Sequence, residues 1–259
     1  MQTCQAGYST HRVMAKRKRS AVGRGLKLLW SQAEPRSRGP KPSLSLHDIT
    51  TTAITLADRD GLASLSMRRV AEKLGFTTMS LYRHVPGKDE LVEVMRDAAI
   101  GEPPPPDPGA SWRAELAGWA RASLALHHKH PWLLDVEIRR PPFGPNHLRW
   151  LDAGLRIMSM LDLDAQSRLR AVLLVDAYTR GFARVTVGLA QEQRRTGSNR
   201  AELDRIYASI FEKIVAGGQY PALSEAVAAG GFEPGTDVAE DFEFGLDRAL
   251  DGIEAFVRR

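Results

Sequence analysis

The chain has 259 residues, of which 43% are hydrophobic and 26% are charged, so it can bury a full core as one large or two modest domains. It has no run of about 18 uncharged apolar residues, which argues against a membrane-spanning helix, and its first residues lack the apolar segment of a secretory signal. We therefore expect a cytoplasmic protein. The single cysteine, Cys4, excludes an internal disulfide and a cysteine-rich zinc site.

The net charge of +5 is unevenly distributed. Residues 1–45 hold ten of the 36 lysines and arginines and a single acid, Glu34, so the remainder is acidic overall. A basic arm over residues 1–44 is predicted, disordered when free, and such an arm can follow the phosphate backbone or enter the minor groove. The alternatives are a solvated tail or a start codon assigned too far upstream.

A first helix is predicted from Ser45 or Leu46 to Asp60, because apolar residues recur there at intervals of three and four. Ser45 and Asp48 form a near capping box at its start.

Residues 66–88 predict two short helices joined by a tight turn. Ser66 is a candidate N-cap, and Gly75 can adopt the left-handed conformation that closes a helix. The second helix begins near Thr78 and ends before Pro86, which is the layout of a DNA-reading helix-turn-helix. The segment has five cations and one acid, Glu72, and this excess attracts phosphate. A solvated helical hairpin is the alternative.

A fourth helix is predicted from Lys88, followed by a proline-rich segment at residues 101–110. Its four consecutive prolines favour a stiff polyproline II spacer between domains, and a ligand for an SH3-like partner is the alternative. Beyond it the pattern predicts only helices, which makes the fold class all-α. Their expected ranges are 112–130, 148–161, 163–188 and 203–215, with a last helix from Thr236 or Asp237 to Val257.

The order of these elements resembles the tetracycline-repressor (TetR/AcrR) family of bacterial transcription regulators. The resemblance is specific over residues 45–96, where residues 81–91 are similar to the family motif L-Y-x-H-V-x-x-K-x-x-L. Residues 242–254 look like the C-terminal helix of the family. The resemblance implies a helix-turn-helix domain at 45–100, a linker at 101–110 and a helical regulatory and dimerisation domain at 111–259.

It further implies a homodimeric regulator, most simply a repressor, that binds a palindromic double-stranded DNA operator and is released by a small-molecule effector. No cofactor, metal, membrane or catalytic residue is expected. The resemblance assigns Arg68 to a base edge or a phosphate, the start of the recognition helix to bases, and Tyr82, His84 and Lys88 to phosphates. Arg83 is either a base reader or a phosphate clamp. The predicted DNA-binding residues are Arg68, Thr77, Thr78, Met79, Ser80, Tyr82, Arg83, His84 and Lys88.

The effector site is expected in an apolar cavity of the C-terminal domain. Its candidate lining residues are Trp119, Trp132, Trp150, Met158, Tyr178 and Phe182, for which ordinary core packing is the alternative. Tetracycline is disfavoured, because no histidine stands near Asp176–Tyr178, where the tetracycline-binding members have one. His127, His128 and His130 form a local cluster that indicates a helix end, with metal ligation as the alternative.

Two other functions stay open at the level of sequence. A helical enzyme has no nucleophile elbow, phosphate loop, paired carboxylates or zinc motif in its favour. A ligand-blind architectural DNA binder would use the basic arm and show little sequence preference.

Overall fold

A computed structural model of the chain describes residues 28–30, 44–137, 143–197, 199–231 and 238–258, and regular secondary structure in these ranges is entirely helical. The proposed arm, apart from residues 28–30 and 44, and the expected helix start at Thr236 or Asp237 lie outside the described residues. None of the described helices combines the length and hydrophobicity that crossing a bilayer demands. The helices are α1 (Leu46–Asp60), α2 (Met67–Leu74), α3 (Thr78–Tyr82), α4 (Lys88–Ile100), α5 (Trp112–Lys129), α6 (Pro145–Met158), α7 (Ala165–Thr196), α8 (Arg200–Val215), α9 (Pro221–Ala228) and α10 (Val238–Val257), with 3-10 turns at Leu62–Ser64 and Pro131–Asp135.

The chain forms two compact units. The N-terminal unit contains the described residues up to Ala110 together with Ala125–Ile157, and the C-terminal unit contains Ser111–Leu124 together with the described residues from Met158 onward. The units are therefore not simple consecutive segments, since residues beyond the proline-rich segment return to the N-terminal unit. Helix α5 is one continuous helix. Its residues up to Leu124 belong to the C-terminal unit, and its residues from Ala125 belong to the N-terminal unit.

Local capping defines the helices of the N-terminal unit and confirms their predicted boundaries. The Ser45 hydroxyl accepts the Asp48 amide, and the Asp48 carboxylate accepts the Ser45 amide, which completes the capping box of α1. Ser66 caps α2, which ends at Gly75 with φ of 74°, a conformation that favours glycine. Thr77 caps α3. The buried core between these helices includes residues of every helix from α1 to α4, among them Ile49, Val70, Leu81 and Leu91.

A carboxylate on α1 connects that helix to the segment that follows α5. The Trp132 indole N–H donates to Asp58 at 2.7 Å, and the His130 Nδ1 atom lies 2.8 Å from the same carboxylate oxygen. Trp132 and His130 are buried, so Asp58 satisfies two polar groups that would otherwise be costly to bury.

A second carboxylate, on α4, caps the start of α6. Asp97 accepts the backbone amides of Asn146 and His147, each at 3.1 Å. A Cβ atom on Gly144 would overlap the Asp97 side chain, so only glycine allows this approach. The N-terminus of α6 thus depends on a residue about fifty positions earlier.

In the C-terminal unit, α7 packs against α10 through an aromatic cluster. The Phe242 ring lies 5.6 Å from Tyr178 and 5.2 Å from Phe182, between ring centroids. The Tyr178 hydroxyl donates to the Phe242 carbonyl at 2.8 Å, and a side chain at Gly245 would overlap the Tyr178 ring. Ion pairs then hold α5 to α10, with Arg113 2.7 Å from Asp251 and Arg121 2.7 Å from Glu243.

Several predicted boundaries were wrong, among them the end of α6, which is Met158 instead of Leu161, and the start of α8, which is Arg200 instead of Leu203. Helix α7 continues past Gly188 to Thr196, because one helical glycine costs only about 1 kcal/mol and the helix formers that follow it restore the balance. The residue that ends α7 is Gly197, with φ of 70°. Helix α6 begins at Pro145 instead of Leu148, since proline is well suited to the first turn. The short helix α9 was not predicted.

Candidate nucleic-acid interface

The predicted DNA-binding residues all lie on α2, the following turn, α3, and the residues up to the start of α4. We call this set the recognition surface. Six of its side chains are exposed and three, Thr78, Ser80 and His84, are half-buried. Its members are Arg68, Thr77, Thr78, Met79, Ser80, Tyr82, Arg83, His84 and Lys88.

Helix α3 packs on the core through apolar side chains and has polar side chains on its outer side. Leu81, near the end of α3, and Val85, just after it, are fully buried and anchor the C-terminal side of the helix in the core. The Thr77 and Ser80 hydroxyls lie 2.9 Å apart and bond to each other, so each is held in a defined position. Met79 is 71% exposed and Tyr82 is 44% exposed, although both are large apolar side chains. Exposed apolar groups among hydroxyls and cations favour contact with a partner that has both methyl groups and charge.

Neighbouring arginines on α2 have different roles. Arg69 donates to the Ser64 carbonyl at 3.0 Å and forms an ion pair with Asp60, the last residue of α1. Asp60 also pairs with Arg59, and the two guanidinium groups lower the pKa of Asp60 to about 2. Arg69 therefore joins α2 to α1, and its charge is compensated within the fold.

Arg68, by contrast, points outward and pairs with Glu72 on the same helix at 2.7 Å, which raises the pKa of Arg68. In the part of the chain that the structure describes, Lys73, Arg83 and Lys88 have no ion-pair partner. These three cations are therefore the groups whose charge is available to phosphates without breaking an internal pair.

The start of α4 adds a second kind of anion contact. Gly87 is its N-cap and makes no side-chain capping bond, so the first backbone amides of α4 are open to an external acceptor. Lys88 stands at the first position of this helix, while Asp89 and Glu90 in the same turn partly offset its charge.

The predicted effector residues are divided between the two units. Trp119, Met158, Tyr178 and Phe182 lie in the C-terminal unit. Trp132 and Trp150 lie in the N-terminal unit, with their indole N–H groups bonded to Asp58 and, at 3.1 Å, to the Gly101 carbonyl. These two bonds favour core packing as the role of both tryptophans.

The histidine cluster is found at the end of α5, as the helix-end interpretation predicts. His127 and His128 occupy the last turn, and His130 follows the helix and bonds to Asp58. No group of three metal-binding side chains was found in the described ranges.

One surface was only partly anticipated from the sequence. The side of α7 opposite its buried stripe exposes large apolar residues, and so does one side of α10. The wide apolar stripe of α10 was visible in its periodicity, but the sequence alone does not separate the residues buried within the unit from those left exposed. The exposed residues are Leu169, Leu173, Leu174 and Val185 on α7, and Phe244 and Phe256 on α10.

Comparisons with known proteins agree with these features. The family model for bacterial regulatory proteins of the tetR family matches residues 49–95, and the model for the tetracyclin repressor-like C-terminal domain matches residues 105–257. The transcriptional repressor DrrR1 of Streptomyces coeruleorubidus is 41% identical over 239 residues, covering 91% of this chain and 87% of DrrR1. An HTH-type regulator of Saccharopolyspora erythraea is 29% identical over 195 residues, 75% of this chain and 82% of that protein.

A solved structure shows the same architecture. ActR of Streptomyces coelicolor, in complex with actinorhodin, superposes with a TM-score of 0.68 at 25% identity, covering 84% of this chain and 100% of ActR. The matched family models, the relative that is 41% identical and the helix-turn-helix geometry lead to one conclusion. The chain belongs to the tetracycline-repressor family, and it is a transcriptional repressor and not an enzyme.

Proposed function

We propose that this repressor acts in the cytoplasm as a homodimer, binds a palindromic operator, and releases it when a small molecule binds the C-terminal unit. The observation that carries the proposal is the pair of exposed apolar faces on α7 and α10. Val185 is 62% exposed and Phe244 is 67% exposed, although each lies on a long, well-packed helix. Large apolar side chains exposed on long helices favour burial against another chain.

Glycines on the same faces support a close approach between helices. Gly181 and Gly188 on α7 and Gly252 on α10 are exposed, and a Cβ atom at each would meet nothing within 4 Å. The fold of the subunit therefore does not require glycine there, and each glycine costs about 1 kcal/mol relative to alanine. A second subunit whose helices pack directly on these backbones would offset that cost.

Two-fold symmetry would let the two recognition surfaces of a homodimer bind the two half-sites of a palindrome. A homodimer presents two copies of α3, and such copies read half-sites about 34 Å apart in successive major grooves. Thr78, Met79 and Ser80 are assigned to base edges, with Arg68 to a guanine. Tyr82, His84 and Lys88 are assigned to phosphates, which position the protein without reading sequence.

For the effector site we retain the four candidates of the C-terminal unit, Trp119, Met158, Tyr178 and Phe182. Two of them belong to the aromatic cluster that joins α7 to α10. An effector that altered this cluster would change the geometry of the dimer and so the spacing of the two recognition surfaces. The binding of actinorhodin by ActR, a structural neighbour, supports an effector site in this fold.

Selection of bound duplexes from a random DNA pool tests the proposal, at about 150 mM salt so that purely electrostatic binding is suppressed. The wild-type chain is expected to select one palindrome. Lys88→Ala is expected to weaken binding to every sequence and select the same palindrome, whereas Ser80→Ala is expected to change the preferred bases. Selection with residues 1–41 deleted separates the alternatives: if no sequence is enriched, or if binding disappears with the arm, the chain is a nonspecific binder.

A further inference from the structure

Arg68 and Glu72 lie one helical turn apart on the exposed side of α2, and their side chains form an ion pair. The Arg68 Nε–H group donates to the Glu72 Oε1 atom at 2.7 Å, while the two side chains remain 80% and 57% exposed. Exposed pairs of this kind add little to stability. The consequence of this pair therefore lies in the orientation that it gives to Arg68.

The bond determines which donors of the guanidinium group are left. Arginine has five N–H donors, one on Nε and two on each terminal nitrogen. Glu72 occupies the Nε donor, and no hydrogen bond to a described residue is recorded for the terminal nitrogens of Arg68. Those two nitrogens form the end-on fork that fits O6 and N7 of guanine. A side-on approach, which uses Nε, is blocked by the carboxylate.

Because Glu72 is negatively charged, it does not contribute to DNA binding by attracting phosphates. It is the single acid between Ser66 and Lys88, and a carboxylate beside DNA opposes the attraction of the surrounding cations. Arg69 shows that an arginine of this helix can be compensated by an acid on another element, Asp60, away from the recognition surface. Glu72 instead pairs with a residue that is itself assigned to a base.

We propose that Glu72 is a positioning residue for base readout, which holds Arg68 so that its two terminal nitrogens meet a guanine edge in the operator. The inference rests on the proposed function, because it needs a specific operator. Glu72 lowers general affinity for DNA and raises discrimination at one base pair of each half-site.

The test is the selection described above, carried out with wild-type protein, Glu72→Gln, Arg68→Ala and the double variant. Glu72→Gln keeps the length and shape of the side chain and removes its charge. Asp89→Asn is the matched control, because it also removes one exposed acid near the DNA but does not touch Arg68. Thermal melting of each variant is measured in parallel and is expected to match the wild type.

We expect Glu72→Gln to select the wild-type palindrome, with the preference for guanine reduced by roughly two- to five-fold at the one position that Arg68→Ala also relaxes, the size expected for an exposed ion pair. Asp89→Asn should tighten binding to all sequences by a similar factor and leave every preference unchanged. In the double variant, Glu72→Gln should add no change of preference to that of Arg68→Ala.

Three results would overturn the inference. Glu72→Gln could leave the guanine preference intact, or it could alter a position that Arg68→Ala does not. Its effect could also persist in the double variant, which would show that Glu72 contacts a base itself, as a carboxylate can with cytosine N4. If wild-type protein selected no palindrome, the proposed function would fail and this inference with it. That failure is seen in the wild-type experiment and is distinct from the other three.

Discussion

Two surfaces of this protein expose large apolar side chains, and they differ in what surrounds those side chains. On the recognition surface, Met79 and Tyr82 stand among hydroxyl groups and cations. On α7, Leu173, Leu174 and Val185 lie on one side of the helix together with alanine and glycine, and Arg184 is also exposed there. The first setting suits a nucleic acid, which has methyl groups beside charged phosphates, and the second suits another apolar helix. Exposure alone does not separate the two, but the neighbouring residues do.

The largest effect is expected from a charge on α7. Val185→Glu would place a carboxylate in the subunit interface twice, once from each chain, and a buried unpaired charge costs about 3–5 kcal/mol. We expect a monomer in sedimentation velocity experiments and a loss of operator affinity of at least about 100-fold, since 2.7 kcal/mol corresponds to that factor. Gln191→Glu, on an exposed polar position of the same helix, is the control and should remain dimeric. A dimeric Val185→Glu protein would show that this face of α7 is not the interface.

The next effect concerns the contact between α1 and the segment that follows α5. Asp58→Ala leaves the buried Trp132 indole and His130 ring without their acceptor, which should lower the free energy of unfolding by about 1–3 kcal/mol. Urea titration measures the change in the free energy of unfolding, and hydrogen exchange shows whether α1 opens more readily. Asp89→Ala, which removes an exposed acid, is the control, and its free energy of unfolding should stay within about 0.5 kcal/mol of the wild-type value. Equal stability of both variants would mean that Asp58 does not hold α1 to the segment after α5.

A smaller effect is expected from Met79→Ala. Loss of about 40 Å² of apolar contact with DNA corresponds to about 1 kcal/mol, or a five-fold loss of operator affinity. The melting temperature and the oligomeric state should not change, because the side chain is exposed in the subunit. If Met79→Ala altered the oligomeric state, the distinction between the two exposed surfaces would be wrong.

The smallest effect depends on pH. Because the pKa of Asp60 is lowered to about 2 in the folded protein, its pairing with Arg59 and Arg69 stabilises the fold above the unfolded pKa, near 4. That contribution is lost as the pH falls from about 4 to about 2. Wild-type protein should therefore be more stable than Asp60→Asn at pH 6, and thermal melting should show the difference shrinking below pH 4. A constant difference across this range would contradict the assignment.

The helix-turn-helix could be predicted closely because its signals are local. Ser66 and Gly75 specify the two ends of α2 through their own backbone preferences, and the structure places both ends there. The same holds for Ser45 and Asp48 at the start of α1. The nine residues assigned to DNA stay a prediction, but the structure leaves them on a surface from which they can reach it.

The remaining features depend on residues far apart in the chain. The partners of Asp58 are 72 and 74 positions away, and no periodicity reveals such a pairing. Trp132 looked like a lining residue for an effector because the sequence shows an apolar aromatic and does not show its hydrogen bond. Helix α9 was not predicted because it has only eight residues, and its apolar residues at helical spacing, Leu223, Ala226 and Val227, are too few to distinguish a short helix from a loop. A glycine that ends a helix and one inside a helix look the same in a sequence, so the pattern at Gly188 does not show that α7 continues.

The Asp97 cap also has a consequence for how the protein folds. Helix α6 receives its N-terminal hydrogen bonds from α4, a helix that leaves the ribosome about fifty residues earlier. A helix of 14 residues is marginal on its own in water, so α6 gains its full stability only after α4 is in place. The two helices should then open and close together as one cooperative element, and their backbone amides should exchange with solvent at a common rate.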